Sequence, residues 1–355
     1  MKKKITLKTK NQIYSVYIEP GSTLKNLEYF NRIKSKKIFL IDRKVFYIFK
    51  KLKNYKLTNH IVIDCSEKIK NFKNYSILCE KILSFGIDRD TKIIAIGGGT
   101  LGDLSGFVAG TILRGLELIL FPTTLLSQVD SSIGGKNGIN TTNGKNLIGT
   151  FHQPKFVFID PKLLHSLPKR QMLSGYAEII KHAIINDRKL FNWLDKNSHK
   201  LFNLDIKILC QAIYKSISIK KKYINKDEKE KLSNKNSRAI LNFGHTFGHA
   251  LETYYNYNKK LTHGEAISIG MIIAATISNK LKFLSVNELN KIKKHFIFNK
   301  LPINDIKMND NKIFEIIKND KKNKQGKINF ILINEIGNAF LKKKVNLEKI
   351  KKILN

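Results

Sequence analysis

The first half of the chain alternates short apolar runs with stretches of helical periodicity. From Ile5 to Ile18 apolar and polar residues exchange at period two, which predicts a half-buried hairpin turning near Asn11. Lys37–Ile41, His60–Ile63 and Lys92–Ile96 read as further strands. Val45–Leu52, Phe72–Phe85 and Leu101–Leu113 instead repeat apolar residues every 3.6 positions and predict helices. Such alternation of strand and helix predicts a parallel sheet covered on both faces. From Leu164 the pattern turns long and helical, and strand signal returns only at Lys327–Ile333 and Ala339–Phe340. The expected organisation is therefore an α/β domain over residues 1–163, followed by a mainly α-helical domain over 164–355. No internal repeat is visible.

Length agrees with two domains: 355 residues exceed the ~250–300 at which a single core stops growing. Hydrophobic residues make up 42% of the chain, enough to exclude disorder. The net charge of +37 invites a nucleic-acid reading. The excess, however, is almost all Lys, runs from Lys2 to Lys352, and travels with abundant Asn and Ile, a pattern of drift toward A/T-rich codons. No helix interleaves Arg with aromatics to read or stack on bases. No specific nucleic-acid partner is expected, only salt-sensitive adhesion to polyanions. Cys65, Cys79 and Cys210 are widely spaced and suit a reducing cytoplasm. The longest near-apolar run, Ile267 to Ile277, falls short of the ~20 residues of a membrane span, so a soluble cytoplasmic protein is expected.

Three stretches carry candidate chemistry. Gly97, Gly99 and Gly102 satisfy GxGxxG after a strand and before a helix, where backbone N–H groups and the helix N-terminus welcome a pyrophosphate. The element follows the third or fourth strand instead of the first, so Asp42, at the end of an earlier strand, is the better candidate for ribose hydroxyls. The Gly- and Asn-rich segment Ser131–Gly149 reads either as a linker or, with Lys136, Lys145 and Asn146 among its glycines, as a phosphate-binding loop. His245 and His249 form HxxxH on one helical face, but Thr246 stands where a zincin needs Glu. Taken alone the pair reads as ordinary histidines. Glu178 and His263 add a carboxylate and a third imidazole, so that Glu178, His245 and His263 make a three-ligand set with an open position, as a catalytic metal requires.

Longer blocks go further. Gly97–Gly99 with Asp103, the run Phe121–Lys136, Gly144-Lys145-Asn146, Ala177–Lys181 and Asn242–His249 occur in the order in which they stand in 3-dehydroquinate synthases, and the chain closely resembles that family from Asp42 to Lys322. The resemblance implies a Rossmann-like nucleotide-binding domain, then a metal- and substrate-binding helical domain, with the active site in the cleft between them. It also implies a phosphate-eliminating cyclase, a carbon–oxygen lyase of the shikimate pathway and aromatic amino acid biosynthesis. Its substrate would be the phosphorylated sugar acid 3-deoxy-D-arabino-heptulosonate 7-phosphate and its products 3-dehydroquinate and phosphate. NAD serves transiently: C5 is oxidised, phosphate leaves, C5 is reduced again, and the opened ring closes by an intramolecular aldol step.

Residue by residue, the resemblance places a divalent metal, Zn or Co, on Glu178, His245 and His263. Asp130 and Lys181 would orient substrate hydroxyls, and Lys220 and Arg238 would hold the carboxylate. Lys136, Asn146, Asn242 and His249 would gather the phosphate, with Arg114 reaching over from the second subunit of a homodimer. For NAD it names Asp42, Glu67 and Lys70 around the adenosine, Gly98 and Gly99 at the pyrophosphate, and Asp103 at a ribose. Thr123, Thr124 and Lys145 would line the remainder. Lys321 and Lys322 after Asp320 match a basic loop facing the substrate. The chain departs from the family in extra residues around Lys231–Asn236, in two more before His263, and in Gln171 where an acid usually follows Arg170. The alternatives are a sister sugar-phosphate cyclase, disfavoured by Lys220 and Arg238, and a metal-dependent alcohol or glycerol dehydrogenase, which needs no phosphate cluster.

Overall fold

A computed structural model describes residues 2–10, 12–51, 57–257, 260–307, 310–319 and 327–354. The chain divides into two compact units, Met1–Pro168 with Ile206–Ile217, and Lys169–Asp205 with Ser218–Asn355.

In the first unit β1 (Lys3–Lys8) and β2 (Ile13–Ile18) pair antiparallel as the alternation predicts, and Asn11 lies outside the described residues. Then follow α1 (Thr23–Arg32), β3 (Lys37–Asp42), α2 (Arg43–Lys50), β4 (His60–Ile63), α3 (Phe72–Leu83), β5 (Lys92–Gly97), α4 (Gly99–Thr111), β6 (Glu117–Pro122), β7 (Lys136–Thr141), β8 (Gly144–Phe151) and β9 (Phe156–Ile159). The main sheet has the order β1-β2-β9-β6-β5-β3-β4, and every pairing but β1 with β2 is parallel. Strands β3, β5 and β6 are buried along nearly their whole length, which explains why they read as continuous apolar runs instead of alternating ones. Their side chains, with Leu27, Phe30, Val45 and Phe49 from α1 and α2, make one of the cores.

Strand order marks a candidate ligand edge of the sheet. From β3 the chain moves outward to β4 and returns to the other side of β3 for β5, then continues through β6 and β9 in the opposite direction. The carboxyl ends of β3 and β5 thus flank a topological switch point, where open α/β sheets bind their ligands. Asp42 ends β3 and Gly97 ends β5.

Two expectations are corrected here. Ser131–Gly149 is neither linker nor simple loop: β7 and β8 pair as a hairpin, Lys136 opposite Phe151 and Gly138 opposite Gly149. Helix α4 stops at Thr111 instead of Leu113, because Leu113 (φ 50°) and Arg114 (φ 67°) enter the left-handed region and turn the chain.

The second unit comprises α5 (Lys169–Asn186), α6 (Arg188–Phe202), the end of α7 (Ile206–Ile224), α8 (His245–Tyr254), α9 (His263–Lys280), α10 (Val286–Phe298), α11 (Asn311–Asn319), the hairpin β10 (Lys327–Glu335) with β11 (Asn338–Asn346), and α12 (Leu347–Leu354). Helix α9 is buried on nearly every side and packs against α5, α8 and α10. Glycines set how closely these helices approach. A Cβ on Gly270 of α9 would stand 2.0 Å from the carbonyl oxygen of Gly244, and one on Gly264 would stand 2.3 Å from Ser174 Cα in α5. Backbone therefore touches backbone where α9 crosses its neighbours, and no side-chain rotation can relieve an added methyl.

Gly264→Ala is expected to lose stability at or beyond the upper end of the ~1–3 kcal/mol typical of overpacking. Gly102→Ala, in the first turn of α4 with nothing within 4 Å of the added carbon, should be neutral or gain about 0.5–1 kcal/mol. Urea midpoints decide both; a Gly264→Ala protein as stable as the parent would refute the close-crossing account.

Candidate active site

In the second unit, the close helix crossings bring three side chains together. Glu178 and Lys181 lie mid-way along α5, His245 opens α8 after Gly244 (φ 80°), and His263 opens α9 behind Thr262. Thr262 forms a reciprocal capping box with Glu265, which fixes where α9 begins and so where His263 points. Glu178 is fully buried, and neither of its carboxylate oxygens meets a hydrogen-bond donor of good geometry. Lys181 Nζ nevertheless makes an ion pair with Oε2. On Oε1 converge His263 Nε2 at 3.7 Å and His245 Nε2 at 3.8 Å, too far for hydrogen bonds and spaced as ligands around a common ion would be. Each imidazole is held from behind: His245 Nδ1 lies 3.2 Å from the Phe243 carbonyl oxygen, and His263 Nδ1 lies 3.2 Å from Glu252 Oε2. With both Nδ1 atoms so engaged, both Nε2 atoms face the carboxylate.

The electrostatics fit the same purpose. Burial pushes the Glu178 carboxyl up, but Lys181 and the two imidazoles outweigh it and hold the group well below the usual carboxylate range. Burial and then the Lys181 charge keep His245 well below its ordinary value, so it is a neutral donor. Burial lowers His263 too, but Glu252 and Glu178 reverse the sign and raise it to about 10, so a metal arriving there displaces a proton. A buried carboxylate with unsatisfied oxygens facing two oriented imidazoles is a donor set suited to Zn2+ or Co2+.

In the first unit, Gly97–Gly99 joins β5 to α4 at the switch point. No side chain caps α4 at Gly98, so its first N–H groups remain directed outward. A Cβ on Gly98 would come within 3.1 Å of Thr124 Cγ2, and one on Gly99 within 2.7 Å of Ser131 Oγ. Either would fill the cradle, which opens into a small cleft lined by Gly97, Gly98, Gly99, Pro122 and Ser131. Thr123 N donates to Gly97 O at 3.0 Å, tying the two loops, while Thr124 and Ser127 cap each other at the following turn. Asp42 caps α2 through Lys44 N at 2.8 Å and flanks Gly97. The arrangement suits a dinucleotide pyrophosphate, with a carboxylate on the neighbouring strand for a ribose.

Lys70, itself buried, sits at the middle of a polar cluster. Its Nζ reaches Asp103 Oδ2 at 2.7 Å, Asn146 Oδ1 at 2.6 Å and Glu67 Oε1 at 3.5 Å. Burial lifts the Asp103 carboxyl above its usual range despite Lys70 beside it.

Two family models match in succession: 3-dehydroquinate synthase N-terminal over residues 60–174 and 3-dehydroquinate synthase C-terminal over 175–323. The chain belongs to the 3-dehydroquinate synthase family. A family member from Prochlorococcus marinus (strain MIT 9312) is 44% identical over 348 residues, covering 95% of this chain and 94% of the relative. Among solved structures, 2-epi-5-epi-valiolone synthase from Streptomyces hygroscopicus subsp. jinggangensis 5008, with NAD+ and Zn2+ bound, superposes with a TM-score of 0.87 at 24% identity, covering 98% of this chain and 97% of that one. A 2-deoxy-scyllo-inosose synthase complexed with carbaglucose-6-phosphate, NAD+ and Co2+ gives 0.79 at 25% identity, covering 99% of both.

The other residues named from the family's pattern are placed as follows. In the first unit Asp130 lies in a π-helical turn, Ser127–Ser131, close enough to Asp103 to raise its carboxyl further. Lys136 begins β7 and is exposed, whereas Lys145 in β8 is half-buried. Arg114 is exposed on the left-handed turn after α4. In the second unit Lys220 is buried on α7, and Arg238 is buried in a 3-10 turn, its Nη1 donating to the Glu228 carbonyl oxygen at 2.6 Å. The turn's position rests on Asp227, a buried acid that accepts from the backbone N–H groups of Lys231, Leu232 and Arg238, so the extra residues around Lys231–Asn236 leave Arg238 anchored. Asn242 Nδ2 donates to Glu230 Oε1 at 2.7 Å, and the exposed His249 lies edge-on to His245 and tilted toward His263. Asp320, Lys321 and Lys322 lie outside the described residues. Arg170 pairs with Glu265 at 2.7 Å, so Gln171 leaves it with an acid partner. Sequence reasoning passed over Glu252 and Glu230; the sign for Glu252 was an acid two turns beyond His245 on the same face of α8.

Lys70→Met should leave the half-buried Asp103 without its cation and lower stability by about 1–3 kcal/mol at neutral pH. An acid whose folded-state pKa is raised loses stability as pH rises above its unfolded value, so the deficit relative to the parent should shrink on acidification toward pH ~4. Urea titrations across pH would expose a deficit that is instead constant.

Proposed function

We propose that this member of the family converts 3-deoxy-D-arabino-heptulosonate 7-phosphate into 3-dehydroquinate and phosphate, as a carbon–oxygen lyase with catalytic NAD and a divalent metal, in the cytoplasm and as a homodimer. The observation that carries the reading is the buried Glu178 carboxylate facing two oriented imidazole nitrogens, in a chain matched successively by both family models. The alternative sister-cyclase reading is not favoured: identity falls from 44% with a 3-dehydroquinate synthase to 25% with a 2-deoxy-scyllo-inosose synthase.

When bound, the metal supplies a Lewis acid that acidifies substrate hydroxyls and NAD supplies the hydride acceptor that is restored within the cycle. Glu178, His245 and His263 hold that metal. Lys181 keeps Glu178 ionised through its ion pair and, with Asp130, orients substrate hydroxyls. Lys220 and Arg238 grip the carboxylate; both are buried, where a cation in place before substrate arrives acts in a low-dielectric setting. Lys136, Asn146, Asn242 and His249 gather the phosphate and stabilise the charge that builds as it leaves. Gly98 and Gly99 offer backbone to the NAD pyrophosphate, and Asp42, Glu67, Lys70, Asp103, Thr123, Thr124 and Lys145 surround the rest of the cofactor. Arg114 extends to the substrate of a second copy. Cys65, Cys79 and Cys210 are free thiols, consistent with a reducing compartment, and no helix among the described residues is long and apolar enough to cross a membrane.

The direct assay follows phosphate release from the heptulosonate 7-phosphate with catalytic NAD, with and without a chelator. Chelator-sensitive release without accumulation of NADH is expected; stoichiometric NADH would transfer the chain to the dehydrogenases, and no release would remove the substrate assignment. Arg114→Ala should raise KM for substrate roughly 10- to 100-fold, the loss of one charge-assisted contact of ~1.5–3 kcal/mol, with NAD affinity nearly intact. Unchanged kinetics would remove the cross-subunit role.

A further inference from the structure

Glu252 lies in α8, seven residues and hence two turns beyond His245, so both face the same side. Its setting is unfavourable for a carboxylate. Only 6% of the residue is exposed, and it stands in the last turn of its helix, where the macrodipole repels negative charge. Its Oε2 lies 3.2 Å from His263 Nδ1, while the opposite ring nitrogen of His263 lies 3.7 Å from Glu178 Oε1. A ring nitrogen bearing hydrogen toward Glu252 leaves the lone pair of Nε2 pointing at the ligand set. The other imidazole is backed differently, by the Phe243 carbonyl oxygen at 3.2 Å. A carboxylate is the stronger acceptor, so it shifts more electron density into the ring it holds.

We infer that Glu252 is a positioning residue for the metal: it fixes the tautomer and orientation of His263 and makes that imidazole the stronger donor of the two. The inference rests on the proposed ligand set of Glu178, His245 and His263. Glu252 touches neither substrate nor cofactor in this assignment, and its effect passes through His263.

The test uses the full-length chain stripped with a chelator and titrated with Co2+, whose visible absorption reports its ligand field. Glu252→Gln keeps an acceptor for Nδ1–H but removes the charge, and should bind Co2+ roughly tenfold more weakly, whereas Glu252→Leu removes both and should approach the ~100-fold limit for such partners. The Co2+ band should shift in both, and the urea midpoint of the stripped Gln variant should match the parent. Should Glu252→Leu fail to fold, the Gln variant decides. Affinities within about twofold of the parent for both variants would overturn the inference, given the size of effect expected. So would a loss of affinity matched by an equal fall in the stripped Gln variant's stability. A second Co2+ equivalent that disappears in the Glu252 variants while the first is unaltered would also overturn it, by making Glu252 a ligand of another ion. Glu178→Gln separates the layers: if it binds Co2+ like the parent, the ligand set itself is wrong; if it alone loses Co2+, only the role of Glu252 falls.

Discussion

A carboxylate with no access to water is the constraint around which the second unit is built. Removing Glu178 from solvent is costly unless opposite charge and donors surround it, and Lys181 on the same helix supplies only part of that compensation. The remaining oxygen faces two imidazoles that stand back from it. Such spacing is a poor solution for a structural ion pair and a good one for a shared cation. Holding it requires three helices to meet at backbone contact, which explains glycine at 244, 264 and 270, where any side chain would wedge the ligands apart.

The first unit meets a ligand by the opposite means. The phosphate cradle proposed there relies on bare backbone at Gly98 and Gly99 and on the open end of α4, with Asp42 at the end of the adjoining strand. Lys70, proposed to lie near the cofactor, already has partners within the first unit. It is engaged by Asp103 and Asn146, residues expected at a ribose and at the phosphate, so these groups are held in mutual register.

Much of this was legible along the chain, for reasons that differ by element. Strands β3 and β5 announced themselves because burial on both faces demands unbroken apolar runs, and α4 because a glycine cluster separates it from β5. Glu178, His245 and His263 were readable as residue types, but their convergence depends on contacts between helices distant in sequence. The β7–β8 hairpin was obscured by its Gly, Asn and Thr content, which suits turns as well as a pairing so close that Gly149 abuts the Asn137 carbonyl oxygen. The left-handed turn at Leu113 and Arg114 had no local signal, since neither residue favours positive φ; tertiary context imposes it. Glu252 is the one acid of α8, but the ring it holds opens α9, so its spacing along the chain does not reveal its partner. Only the geometry shows which ring it faces.

The two imidazoles differ in what stands behind them, and that difference bears on how such a centre changes over time. A main-chain carbonyl backs His245, and no substitution at position 243 removes it. A side chain backs His263, and a single codon alters it. In the proposed ligand set, the hold on one imidazole is thus locked into the path of the backbone, while the hold on the other is open to adjustment without disturbing any ligand. A lineage meeting scarce zinc, or cobalt in its place, has a dial to turn that leaves the reaction's own residues in place.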